Sequence, residues 1–326
     1  MMGTLSAENV TFQYGKRTVV DDVSLRLSSG QVLGLVGPSG SGKTTLLWLL
    51  AGLLPPQRGR VVIECDGSSA VRPRLGMVFQ QPGLWEHLDA QEHLELVLSS
   101  LHLARPERQR RIASALEEWK LQSLRRRLPR ELSGGERQRL AIARATVLEP
   151  QWLLLDEPGS NLDVQAWEHL PQYIERARRR GAGIILSTHR SEEILGLADR
   201  LAVLIDGRLA QLGTSEEVYR RPVSLEAAVL LGPAAELSGL AQAGVLRGEE
   251  GTVLLENLDA SLQGTVRLIL RPEGLLFVPD DTGSWRLTSC QTRGAVRWLH
   301  LEAGRQTLHA TGSAEVGAVG RLQCRP

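Results

Sequence analysis

Along the first 30 residues, apolar side chains recur at every second position: Val10, Phe12 and Tyr14, then Val23, Leu25 and Leu27, with Val19-Val20 between them. A period of two puts such residues on one face of an extended chain. The interruptions Tyr14-Gly15-Lys16 and Ser28-Ser29-Gly30 are turn formers, so the segment predicts antiparallel strands. Residues 31–36 form an apolar run that predicts a buried strand, followed by a Gly-rich turn and a helix over 44–50. The grammar changes over 86–150. Ile112, Ala115, Leu116 and Trp119 recur at helical spacing, while Arg108, Arg110, Arg111, Glu117 and Glu118 fall elsewhere, which predicts amphipathic helix. Short apolar runs at 151–155, 183–187 and 201–205, separated by helical patterns, predict a parallel sheet with crossovers.

Beyond residue 236 the pattern is strand-like again. Alternating segments at 252–256, 266–270, 275–278, 285–288 and 296–301 are spaced by turn residues such as Asp280-Asp281-Thr282-Gly283. They predict a small all-β domain of the barrel or sandwich kind. Arg221-Pro222 marks the start of a linker. The expected organisation is an α/β domain over 1–222 with a helical subdomain at about 86–150, a linker over 223–235, and a β-rich domain over 236–326. A chain of 326 residues has room for two or three domains.

Composition narrows the functional classes. Lys+Arg number 38 and Asp+Glu 37, a net charge of +1, so no global basic field argues for nucleic acid. Cys65, Cys290 and Cys324 are far apart and outside any ligand spacing, which excludes a disulfide scaffold and argues against a metal site. The most apolar stretch, 46–54, ends at Pro55-Pro56, far short of the roughly 20 residues a bilayer span needs. Residues 225–246 are interrupted by Glu226, Pro233 and Glu236, and no basic-then-apolar leader opens the chain. The expected location is the cytoplasm, with any membrane role peripheral.

Three motifs carry chemistry. Gly37-Pro38-Ser39-Gly40-Ser41-Gly42-Lys43-Thr44 fits the phosphate-loop pattern at every fixed position, between a strand and a helix. Its glycines let successive N–H groups point inward at an anion, and the helix start adds partial positive charge. Lys43 is expected to reach the β- and γ-phosphates and the Thr44 hydroxyl to ligate Mg²⁺. A plain Gly/Ser turn is the other reading. Against it, lysine occurs at only three positions, Lys16, Lys43 and Lys120, while the other 35 basic residues are arginine. A chain that writes arginine nearly everywhere places lysine where a compact ammonium is wanted.

The second motif, Trp152-Leu153-Leu154-Leu155-Asp156-Glu157, is an apolar strand ending in two carboxylates. Strand alternation is expected to send them apart, Asp156 to the Mg²⁺ shell and Glu157 to an attacking water. In the third, Ser133 and Glu136 have capping-box spacing, and Gly134 and Gly135 leave the helix start sterically bare. Those residues read equally as a capped helix or as a second anion-facing tip.

Taken together, the motifs resemble those of the ATP-binding cassette ATPases over roughly residues 4–220, a P-loop NTPase fold with an N-terminal antiparallel β subdomain and a helical subdomain. The resemblance implies that Tyr14 stacks on adenine and that residues 37–45, through Thr45, hold the phosphates of ATP. It implies that Gln80 touches Mg²⁺ and water and relays to a membrane subunit, and that residues 132–138 are the signature motif. Asp156 and Glu157 become the metal and catalytic acids, Asp163 in Ser160-Asn161-Leu162-Asp163 a subunit-contact residue, and His189 the switch histidine. Asn161 and Arg190 depart from the usual pattern. The resemblance further implies a head-to-tail homodimer in which each ATP is held between one phosphate loop and the partner's Ser133, Gly134 and Gly135.

The β-rich tail is similar to the accessory barrel (an OB- or TOBE-like domain) of importer ATPases, with Arg271-Pro272-Glu273 resembling its recurrent tripeptide. That implies separate membrane permease subunits, contacted near Gln80 and 82–100 with Trp85, His87 and Leu88 as candidates, and indirectly an extracytoplasmic solute-binding protein. A soluble cassette acting on nucleic acid or ribosomes, or an exporter subunit, is the alternative. The arginines at 125–127 and 176–180 are expected to be solvated faces, and the cargo is not encoded here.

Overall fold

The computed structural model describes residues 3–65, 74–159, 164–188, 191–248, 251–293, 296–304 and 306–325. The chain divides into two compact units, Met1–Arg220 and Arg221–Pro326.

The first unit opens with long paired strands, β1 (Gly3–Tyr14) and β2 (Arg17–Ser28), joined at the expected Gly15 turn. With β4 (Arg58–Cys65) they form a three-stranded antiparallel sheet in the order β2-β1-β4. The alternation seen in the sequence becomes a buried face: Leu5, Val10, Val23, Leu25 and Leu27 are all within 4% of full burial. Between these strands in sequence come β3 (Val32–Val36) and α1 (Lys43–Leu50). The main sheet adds β5 (Leu75–Val78), β6 (Trp152–Asp156), β7 (Gly183–Ser187), β8 (Arg200–Ile205) and β9 (Arg208–Thr214), in the order β5-β6-β7-β3-β8-β9. Only the β8–β9 pairing is antiparallel. Every residue of β3, β6 and β7 is buried, which accounts for the continuous apolar runs of a sheet covered on both faces.

Helices α2 (Ala90–Leu98), α3 (Arg105–Glu118) and α4 (Gly134–Thr146) occupy the region that the 3.6-residue period marked. Ile112, Ala115, Leu116 and Trp119 are buried as a stripe. The Trp119 indole donates to Thr146 Oγ1 at 3.2 Å, and its ring packs on His169 and Tyr173. The latter two belong to α5 (Val164–Arg179), which is followed by α6 (Ser191–Leu197) and α7 (Ser215–Arg220). Burial pushes the Tyr173 hydroxyl up to about 12. Arg125, Arg126 and Arg127 are exposed, as are Arg176, Arg179 and Arg180, with Arg178 half-buried.

In the second unit, α8 (Leu225–Val229) forms inside the stretch read as linker, capped by Ser224 Oγ accepting from the Ala227 N–H at 3.1 Å. Strands β10 (Ala235–Gln242), β11 (Val245–Arg247), β12 (Val253–Leu255) and β13 (Gly264–Leu270) make one sheet in the order β12-β11-β10-β13. A closed barrel follows, from β14 (Leu275–Pro279), β15 (Trp285–Arg293), β16 (Val296–Ala303), β17 (Gln306–Thr311) and β18 (Val319–Cys324) in the order β14-β17-β16-β15-β18. Closure leaves no unpaired barrel edge. Trp285, fully buried with Leu287, Leu299, Leu301 and Leu322, anchors the interior, and its indole donates to Leu254 O at 2.7 Å. Arg271-Pro272-Glu273 enters the short turn Pro272–Gly274, and Arg271 donates to Ala228 O at 3.2 Å. Cys290 and Cys324 carry free thiols; the Cys324 thiol is pushed up by burial.

Candidate functional site

The parallel sheet gathers the motifs at one edge. The phosphate loop leaves β3, Asp156 ends β6 with Glu157 next after it, Ser187 ends β7 and Gln80 follows β5, so four adjacent strands deliver their carboxyl ends to one crevice. Gly40 and Gly42 take φ of +79° and +99°, a region glycine enters without penalty. A Cβ on Gly42 would strike Val19 O, and one on Gly37 would strike Leu204 O, so the loop closes only because these side chains are absent. Helix α1 starts with no side-chain cap, which leaves its first N–H groups for an anion. Lys43 is 6% exposed, and its ammonium donates to Gly37 O at 2.8 Å and Pro38 O at 3.0 Å. Burial pulls its pKa down, opposed by the negative charges of Glu157 and Asp156. Ser41 and Thr45 are buried, Pro38 and Thr44 half-buried, and Ser39 exposed.

Opposite the loop, Asp156 is 1% exposed. Its Oδ1 accepts from Ser187 Oγ at 2.7 Å, while Oδ2 is buried with no hydrogen-bond partner among the described residues. An orphaned buried carboxylate oxygen costs free energy unless a cation meets it. The donor set here (a carboxylate, the Thr44 hydroxyl and the Gln80 amide) is the hard-oxygen chemistry Mg²⁺ takes, and it fits the ion.

Glu157 corrects one expectation. Strand alternation does not set its direction, because β6 ends at Asp156 and Glu157 has a left-handed φ of +46°. Its N–H donates to Ser187 O at 3.1 Å and to Ser187 Oγ at the same distance, tying the turn to β7. A non-glycine residue held in this conformation carries strain of the kind found where a side chain must be aimed. The aim is visible: Gln80 Nε2 donates to Glu157 Oε2 at 3.1 Å, across 77 positions of sequence.

Tyr14 stands at the end of β1, 49% exposed, its ring edge-on to Phe12. Ser133 and Glu136 make the capping box at the start of α4, with Ser133 N–H donating to Glu136 Oε2 at 2.7 Å and Glu136 N–H to Ser133 Oγ at 3.3 Å. Ser133 and Gly134 are exposed and Gly135 half-buried, and a Cβ on Gly134 would meet nothing within 4 Å. The helix tip is therefore bare on its outer side. His189 and Asp163, with Ser160, Asn161, Leu162 and Arg190, lie outside the described residues.

Two residues that sequence reasoning missed shape the loop after Gln80. Arg144 on α4, 8% exposed, donates to Gly83 O at 2.7 Å and to Pro82 O at 2.9 Å, and its guanidinium lies 5.1 Å from the Trp85 ring centre. His93 on α2 is fully buried; its Nδ1 pairs with Asp89 O at 2.8 Å and its Nε2 accepts from the Trp85 N–H at 2.9 Å. Those partners fix the neutral Nδ1–H tautomer, and burial pulls the imidazole pKa down. Trp85 and His87 remain exposed and Leu88 half-buried, so Trp85 and His87 are surface residues rather than core.

With this geometry in view, the comparisons with known proteins identify the group. The profile of the ABC transporter family matches residues 20–160. An Fe(3+) ions import ATP-binding protein of Rhizobium meliloti (strain 1021) is 36% identical over 87% of this chain and 82% of its own length. A sulfate/thiosulfate import ATP-binding protein of Xanthomonas campestris pv. campestris is 38% identical over 91% of this chain and 86% of its own. Among solved structures, an ATP-binding subunit of an ABC transporter shares 31% identity at a TM-score of 0.63, covering 70% of this chain and 98% of that one. A dimeric cassette in a post-hydrolysis state bound to ADP and Pi shares 28% identity at a TM-score of 0.59. The chain belongs to the ABC transporter family, among its ATP-binding subunits.

Proposed function

We propose that this chain is the ATP-hydrolysing subunit of an importer, working as a pair of identical copies on the cytoplasmic face of a membrane. The identity to import subunits supports this most directly, because the match runs over more than 80% of those proteins. The β-barrel unit is the accessory domain and residues 1–222 the ATPase domain. No helix among the described residues is long and apolar enough to cross a membrane, so separate permease subunits provide the path. An extracytoplasmic binding protein delivers the solute to them.

Residues 37–45 hold the phosphates of ATP and Tyr14 the adenine. Thr44, Asp156 and Gln80 would hold Mg²⁺, which supplies charge neutralisation at the β- and γ-phosphates. Lys43 exchanges its two carbonyl partners for phosphate oxygens, a trade favoured by its buried position. Glu157, aimed by its strained backbone and steadied by Gln80, takes the proton of the attacking water; the family pattern adds His189 beside it. Ser133, Gly134 and Gly135 of the second copy close on the γ-phosphate, with Asp163 at the contact between copies. Loss of that phosphate removes the anion the two copies share, and they separate. Trp85, braced by Arg144 and His93, and the exposed His87 face the permease.

The test is Mg²⁺-dependent ATP hydrolysis by the purified chain, alone and reconstituted with its permease. Absence of Mg²⁺-ATP binding at millimolar nucleotide would refute the reading.

A further inference from the structure

The β-barrel unit carries a pair of chemistry-bearing side chains that the nucleotide cycle does not use. His300 on β16 and His309 on β17 stand directly opposite in register, with Ser289 of β15 on the other flank of His300. His300 Nδ1 lies 3.3 Å from His309 Nε2, and the ring centres are 4.9 Å apart. Both rings line a cavity of about 360 Å³ together with Ser289, Gln291 and Trp298. The Trp298 ring packs against His309 at 6.3 Å between centres.

At 3.3 Å, a hydrogen bond between two neutral imidazoles is a long one. The same separation has a second meaning. Two nitrogens each ~2.05 Å from one ion, the usual zinc–imidazole distance, stand 3.3 Å apart when they subtend about 107°, close to the tetrahedral angle. On the far side of His300, Nε2 faces Glu302 Oε1 at 3.8 Å. The negative charge there favours a proton on Nε2 over one on Nδ1, which would leave the Nδ1 lone pair for a ligand on the His309 side. Adjacent strands of one antiparallel ladder hold both side chains at the same rung, so no loop has to be ordered on binding.

We propose that His300 and His309 form a cross-strand clamp for a borderline divalent ion of the zinc, nickel or copper class. Imidazole nitrogens select these ions over Mg²⁺ and Ca²⁺, which take oxygen ligands. Among the described residues no group of three or more His, Cys, Asp or Glu converges on one point. The protein therefore supplies two ligands and water completes the shell, which makes the site an open, reversible one rather than a structural zinc centre. Every residue it names belongs to the second unit, so it stands or falls apart from the nucleotide reading.

Calorimetric titration of the metal-stripped full chain, without nucleotide, tests this with zinc chloride and, separately, nickel chloride. One ion per chain is expected, lost in His300→Ala and in His309→Ala and unchanged in His87→Ala. Glu302→Gln is expected to weaken binding by roughly tenfold through loss of the orienting carboxylate. Copper(II) added to the native chain should show coupling to two nitrogens by electron paramagnetic resonance, a readout that needs no variant. Zinc bound equally well by the folded histidine variants would overturn the proposal. So would an absence of binding at millimolar zinc, or a copper signal without nitrogen coupling.

Discussion

Two helix starts in the first unit follow one physical rule and reach opposite designs. At α1 the chain wraps its own glycine turn around the tip, with Lys43 buried and carbonyls of Val19 and Leu204 closing the back. At α4 the tip is capped by Ser133, faces outward, and carries Gly134, at which a Cβ would meet only open space. Both offer N–H donors to an anion. The first tip is enclosed by its own chain; the second lies open to solvent, and in the proposed dimer it would close on the nucleotide held at the first tip of the other copy.

Glu157, the proposed base, gives the largest expected effect. Glu157→Gln should lower Mg²⁺-ATP turnover by about 10²- to 10⁴-fold while trapping a nucleotide-bound dimer detectable by light scattering. Native turnover in that variant would remove Glu157 from its role. At the α1 tip, Lys43→Ala should cost roughly 10²- to 10³-fold in turnover and weaken nucleotide binding in the same preparation, read by fluorescent-nucleotide titration.

Glycine substitutions set the two tips against each other. Gly42→Ala forces a side chain to φ +99° against a carbonyl and should cost at least ~1–3 kcal/mol of stability by chemical denaturation. Gly134→Ala has open space around it and should leave the melting temperature unchanged, yet slow turnover about tenfold by blocking the partner's phosphate. If Gly134→Ala hydrolysed ATP normally, the outward tip would be only a capped helix.

The smallest effect concerns pH at the loop that links these elements. Burial lowers the folded-state pKa of His93, so the unfolded chain binds more protons between that value and 6.5. The stability from keeping His93 neutral is present above 6.5 and is lost as pH falls through the folded value. Thermal melts at pH 7.5 and 5.5 should show a shallower acid loss in His93→Gln than in the native chain.

Much of this was legible beforehand because it is local. The phosphate loop is contiguous, and Ser133 with Glu136 is a spacing rule that the structure realises as a hydrogen-bonded capping box. The five alternating segments indicate an all-β unit of the barrel or sandwich kind, and three of them become barrel strands (β14, β15 and β16) while two (β12 and β13) join the separate sheet; β10, β11, β17 and β18 give no comparable signal. Glu157 was foreseen to diverge from Asp156, but by the wrong cause, since a left-handed φ is invisible to a period-two pattern. Arg144 gave no signal, because a chain with 35 arginines hides the one that is buried against two carbonyls.

Local sequence specifies which groups exist: a glycine cradle, one well-placed lysine, two carboxylates and a capped helix, each set by neighbours a few residues away. Tertiary structure decided which groups meet. Gln80 reaches Glu157 across 77 positions, and His300 opposes His309, because sheet order and strand register are fixed by burying whole faces at once.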